Sequence, residues 1–118
     1  MIRKSGEHRV FARGEGVEIK IIAEPAEVYD MGRLYAHITF APGASIEYHA
    51  HEAEMESYYM IKGSLKVDDN GKTTYLEEGD TMITPHTQGH AVHNEKSEPA
   101  EMIALIVSCK QGVPGSSG

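Results

Sequence analysis

Cysteine is nearly missing from this chain: Cys109 is the only one in 118 residues. An internal disulfide is therefore excluded. No base for a thiol nucleophile is identifiable either, so Cys109 reads as a small apolar residue at a strand end. Long hydrophobic runs are also lacking. The longest, residues 102–107, is far too short to cross a bilayer. No apolar segment follows the basic residues near the N-terminus, so no secretory signal is visible and a cytoplasmic location is the expectation. Positive charge is scarce, with 11 basic against 18 acidic residues and a net charge of −7. Nucleic acid and anionic membranes need a basic footprint, and that balance disfavours both as partners. Small anions remain open, because one bound divalent cation can dominate the field inside a pocket.

What is present fits a soluble globular protein, 40% hydrophobic and 25% charged. The length suits one domain, expected over residues 1–111, with a flexible Gly- and Ser-rich tail at 112–118. Periodicity favours strands almost throughout, with turn signals between them. Residues 34–40 alternate, Leu34, Ala36, Ile38 and Phe40 against Tyr35, His37 and Thr39. Further strands are expected at 17–22, 46–51, 57–61, 64–67, 73–76, 81–84, 90–94 and 101–107. Asp69-Asn70-Gly71 is the clearest hairpin signal, since Asn-Gly suits the left-handed positions of a type I′ turn. Residues 3–16 carry no clear pattern, and 52–56 read as a connection in which Glu52 and Glu54 form a solvated turn. Many short strands with turns between them imply an all-β sandwich or barrel.

Two stretches hold the chemistry. The first runs Gly43, His49, His51, Glu56, Gly63; the second runs Gly79, Pro85, His90, Asn94. On an extended backbone His49 and His51 share a face, with Cα atoms roughly 7 Å apart. Imidazoles so placed can converge on one ion at about 2.0–2.1 Å each. Glu56 and His90 complete the set if their strands lie alongside. Three nitrogens and a carboxylate suit Mn, Fe, Co, Ni, Cu or Zn better than Mg or Ca, and leave coordination positions open.

These residues resemble the two motifs of the cupin superfamily. The first motif is matched at Gly43, His49, His51, Glu56 and Gly63. The second is matched at Gly79, Pro85, His90 and Asn94, with Thr87 standing where the family has glycine. The resemblance implies an all-β double-stranded β-helix, a jelly-roll barrel with its motif core at 43–94. It implies that His49, His51, Glu56 and His90 occupy the metal-ligand positions, holding one divalent transition metal per chain. Fe or Mn is favoured; Zn, Ni, Co or Cu also fit.

Other side chains read less sharply. Glu47 has the parity of His49 and His51, so it is a candidate acid or base beside Glu56, unless a bulge turns it outward. Tyr58 and Met60 share the parity of Glu56 and are expected to line its cavity. Tyr35 and His37 either line the pocket or form a solvent face. His93 has the wrong parity to join His90.

Two functions follow from the resemblance. One is a metal-dependent enzyme on a small organic molecule, of dioxygenase, decarboxylase or lyase, or isomerase type. The other is a non-catalytic binding or sensing module. The expected partners are a small-molecule ligand and a second copy. The resemblance implies pairing through a sheet edge or an exchanged strand, with residues 17–22 as the candidate.

Overall fold

The alternation at 34–40 becomes a strand with three fully covered side chains, Ala36, Ile38 and Phe40, turned into the core. The computed structural model describes residues 1–109, and the expected tail at 112–118 lies outside the described residues. Ten strands run in order: β1 (Val10–Ala12), β2 (Val17–Ile21), β3 (Leu34–Phe40), β4 (Ser45–Ala50) and β5 (Glu54–Lys62), then β6 (Leu65–Asp69), β7 (Lys72–Leu76), β8 (Thr81–Thr84), β9 (Gly89–His93) and β10 (Ala100–Ser108). Two short 3-10 turns, Ser5–Glu7 and Pro25–Val28, are the only helical pieces described. None is long and apolar enough to cross a membrane.

The strands form two antiparallel sheets packed face to face, a jelly roll. One has the order β1-β2-β3-β10-β5-β8 and the other β4-β9-β6-β7. Inward residues of both sheets make one core, including Phe40, Tyr58, Met60, Leu65, Val67, Val92 and Met102. Each such side chain contributes about 1.5–3 kcal/mol by leaving water. The hairpin at 69–71 forms as its sequence dictates, with φ of 51° at Asn70 and 95° at Gly71 joining β6 to β7.

Two expectations are corrected and one unassigned stretch is filled. β5 begins at Glu54 rather than 57, because the long β10 pairs with it down to Ser108↔Glu54. The unassigned N-terminal stretch supplies β1. That strand pairs along β2 through Val10↔Lys20 and Ala12↔Glu18, so β2 is interior and not the free edge expected for dimerisation.

Candidate metal centre

Strict alternation would place Glu47, His49 and His51 on one face and Ile46 on the other. The structure breaks that alternation once. Ile46 pairs with Val92 and His49 with His90, so three steps on β4 oppose two on β9. This β-bulge at 47–48 puts Ile46 and His49 on the same inner face. It also turns the Glu47 side chain outward, where it is exposed, so Glu47 is not a site carboxylate. Its backbone serves instead: the Glu47 carbonyl accepts a 2.9 Å hydrogen bond from His49 Nδ1. A carbonyl only accepts, so the Nδ1 proton is fixed and the His49 Nε2 lone pair faces inward.

Four side chains then meet. His49, His51, Glu56 and His90 each offer a donor atom, and these atoms lie within 4.8 Å of one another. The Glu56 Oε1 atom is 2.9 Å from His90 Nε2, 3.2 Å from His51 Nε2 and 3.7 Å from His49 Nε2. The Nε2 atoms of His49 and His90 are 3.2 Å apart. Donors about 2.0–2.2 Å from one ion sit roughly 3.0–3.6 Å from each other at right or tetrahedral angles. The four residues therefore fit a single metal ion, which this group could hold. The His90 side chain is 0% exposed and Glu56 4%, while His51 is 12% and His49 21%, so solvent reaches the centre past His49 and His51.

Electrostatics agree with the geometry. Burial pushes the Glu56 carboxyl up, yet His49 and His90, and the charge of His90 and His51, outweigh it and hold its pKa at about 2. Glu56 is thus anionic across the physiological range. The same carboxylate raises the His49 pKa against the opposing effect of burial, helped by the Glu47 carbonyl. Burial, followed by the Glu56 charge, drives the Tyr58 phenol well above its usual pKa, so it stays protonated.

A second set of groups orients the imidazoles from behind. Thr84, opposite Glu56 on β8, places its hydroxyl 2.7 Å from His90 Nδ1. Glu54 lies 3.3 Å from His51 Nδ1, and Arg33 Nη2 lies 3.0 Å from the same nitrogen. A guanidinium only donates, so its contact needs the Nδ1 lone pair and leaves the proton on Nε2. The Glu54 carboxylate favours the opposite tautomer, with Nε2 free. Sequence reasoning missed Thr84 and Arg33 and left Glu54 to solvent. The usable signal for Glu54 is its shared parity with Glu56 on an extended strand.

Of the remaining candidates, Tyr58 reaches the centre, its hydroxyl 3.1 Å from His90 Nε2. Met60, two residues on along the same face, is buried in the core. Tyr35 and His37 do not line the cavity. They alternate with the buried Ala36 and Ile38 and face outward, where His37 Nε2 contacts Glu101 at 2.9 Å. His93 also points out, its Nδ1 bonded to the Ser45 hydroxyl.

The rest of the second motif holds the backbone. Asn94 is buried, and its amide donates to the carbonyls of Phe40 and Glu98 at 3.1 and 2.9 Å. Its Oδ1 accepts from Lys96 N at 3.0 Å. Thr87 adopts a left-handed φ of 72°, and its N–H donates to the His51 carbonyl at 2.7 Å. The turn demanded by the missing glycine is made anyway, at a conformational cost.

A family model described as a cupin domain matches residues 36–106. An oxalate-binding protein of Thermotoga maritima is 32% identical over 95 residues, covering 80% of this chain and 78% of that protein. A crystal structure of a predicted oxalate decarboxylase from Thermotoga maritima superposes with a TM-score of 0.82 at 28% identity, covering 92% of this chain and 99% of the other. KdgF from Halomonas sp. shares the fold, with a TM-score of 0.75 at 22% identity over 95% of this chain and 96% of its own.

Proposed function

The chain belongs to the cupin family, and from that membership we propose a metal-dependent protein acting on a small organic acid of the oxalate class. His49, His51, Glu56 and His90 would hold the metal. The observation that carries this reading is the convergence of four donor atoms within 4.8 Å on the solvent-reachable side of the core. When bound, a divalent transition metal supplies Lewis acidity to a carboxylate and, as iron or manganese, a redox couple.

The chain's own residues supply the rest. With its imidazoles deprotonated, as metal binding requires, the centre has only the single negative charge of Glu56 and by itself repels a dicarboxylate. A divalent cation reverses that sign, which makes anion binding metal-dependent. The Tyr58 hydroxyl keeps its proton and can donate a hydrogen bond inside the cavity. The buried side chains around His90 exclude water from the inner side. The names of the Thermotoga maritima matches support oxalate as the ligand class.

A second reading, binding without turnover, has its own support. Glu56 is the only buried carboxylate among the described residues, and Glu47 points to solvent. No carboxylate free of the donor set therefore faces the inner side as acid or base. One experiment separates the two. Protein prepared without a chelating tag is analysed for metal, titrated with oxalate with and without metal, and assayed for products. Decarboxylation is redox-neutral overall: oxalate and one proton give formate and carbon dioxide in equal amounts. Equimolar products support the enzyme, and metal-dependent binding without them supports the binding module. Protein that takes up no transition metal contradicts both.

A further inference from the structure

The residues just before two of the four donors meet on the outside of the four-stranded sheet. Tyr48 precedes His49, and Gly89 precedes His90. Gly89 faces outward by parity, since His90 beside it is turned into the core, yet Gly89 is buried. The Tyr48 ring covers it: a Cβ placed on Gly89 would lie 2.5 Å from Cε1, Cζ and Oη of Tyr48. The backbone of Gly89 lies outside the left-handed region, so the ring and not the turn requires a glycine there. On its other side the Gly89 carbonyl accepts a 2.8 Å bond from the Asn70 N–H. The ring therefore sits on backbone that is anchored to the β6–β7 hairpin.

This contact lies on the bulge. β4 is an edge strand, paired with β9 alone among the described residues. With Ile46 opposite Val92, regular pairing would continue with Glu47 opposite Ala91, Tyr48 opposite His90 and His49 opposite Gly89. His49 would then take the outward face of Gly89 and leave the centre. The structure instead sets His49 against His90 and Ala50 against Gly89. The Tyr48 ring occupies the outer surface of Gly89, the place a slipped His49 would need. An aromatic ring seated on a glycine is a means of pinning register in a sheet, because the ring covers backbone that has no side chain of its own.

We propose that Tyr48, seated on Gly89, is a latch that fixes the register of β4 and thereby positions His49 opposite His90. Its geometry stands on its own, while its consequence for metal rests on the metal-binding reading above. Tyr48 is a positioning residue. Its side chain lies on the outer side of the sheet, 52% exposed, and acts on the donors through the backbone it holds. A bound metal pins the same register from the inside, so latch and metal stabilise each other.

The test compares Tyr48→Ala, Gly89→Ala, their combination and Tyr48→Phe, with circular dichroism to confirm folding. In metal-free protein, amide hydrogen exchange in β4 and β9 is expected to quicken roughly tenfold in Tyr48→Ala and Gly89→Ala, while β10 keeps the wild-type rate. Co(II) affinity, read from its visible absorption, is expected to fall about 10- to 100-fold in both, as for groups that orient a ligand. Tyr48→Phe keeps the ring and is expected to match the wild type in both readouts. The two single substitutions break one contact, so their combination should lose no more than the larger single loss. A combined loss equal to the product of the two overturns the latch. Wild-type Co(II) affinity in Tyr48→Ala overturns it too, as does a Tyr48→Phe variant as weak as Tyr48→Ala. Should Gly89→Ala misfold, Tyr48→Ala and Tyr48→Phe decide alone. A wild type that binds no Co(II) overturns the metal reading instead, and wild-type exchange in Tyr48→Ala then overturns the latch.

Discussion

His49 and His90 face each other across β4 and β9 with their Nε2 atoms 3.2 Å apart, and the bulge at 47–48 brings them into opposition. Without the extra residue, Ile46 and His49 would lie on opposite faces. The same backbone event sends the Glu47 side chain to solvent and leaves its carbonyl to orient His49. A local irregularity thus assembles the centre and decides which glutamate belongs to it.

His51 sits at the rim of the centre rather than in the core. His51→Ala is expected to lower metal affinity more than 100-fold, beyond the 10–100-fold typical of losing an orienting partner. The unfolding midpoint of the metal-free protein should hardly move. Titration with a competing chelator and a thermal melt check the two halves; full metal retention contradicts the assignment of His51.

Arg33 and Glu54 compete for one nitrogen of His51. Removing the donor, as in Arg33→Met, is expected to favour the metal-binding tautomer and tighten metal binding. Glu54→Gln should weaken it about tenfold. Opposite signs from two neighbouring substitutions, read by calorimetry, distinguish this from general damage to the rim. Like signs would contradict it.

Protons and metal compete at His49, whose pKa the Glu56 carboxylate raises. Below that raised pKa, metal affinity is expected to fall about tenfold per pH unit for one displaced proton. In metal-free protein the protonated His49 stabilises the fold at low pH, and that contribution is lost as pH rises through its folded pKa. Glu56 has the opposite sign. Its pKa is lowered from 4.5 to about 2, so its contribution is present above 4.5 and disappears between 4.5 and 2. Metal titrations from acid to neutral pH check the first statement, and denaturant melts check the others. Metal affinity independent of pH would contradict the first.

Thr87 holds a φ of 72° that suits glycine better than a β-branched residue. A left-handed conformation costs an L-residue roughly 1–2 kcal/mol, and glycine's greater freedom when unfolded offsets part of the gain. Thr87→Gly is therefore expected to stabilise the protein by about 0.5–1 kcal/mol, measured by denaturant unfolding. Destabilisation would show that the Thr87 side chain does something beyond occupying the turn.

Much of this was legible in the sequence, because the signals were local. β3 was readable end to end from the alternation of Leu34 to Phe40, and the β6–β7 hairpin from Asn70-Gly71. The four donor residues were singled out by spacing and by their resemblance to the cupin motifs. The bulge could be raised only as an alternative, since a register shift exists only relative to a partner strand. Parity alone therefore left Glu47 open between pocket and solvent, and the pairing of β4 with β9 turns it outward. Arg33 and Thr84 were invisible for a related reason: Arg33 is 18 residues from His51, and Thr84 meets His90 only after β8 docks on β5. β1 has three exposed residues and no pattern to betray it, so the interior β2 read as an edge.

The central claim is that one cation is held by these four side chains. Anomalous diffraction from crystals of metal-loaded protein, collected at the absorption edge of the metal, tests it most directly. The account predicts a single strong peak per chain bounded by Nε2 of His49, His51 and His90 and by Oε1 of Glu56, with each atom about 2.0–2.2 Å away. A peak elsewhere on the chain, or one touching fewer than three of these residues, would contradict it.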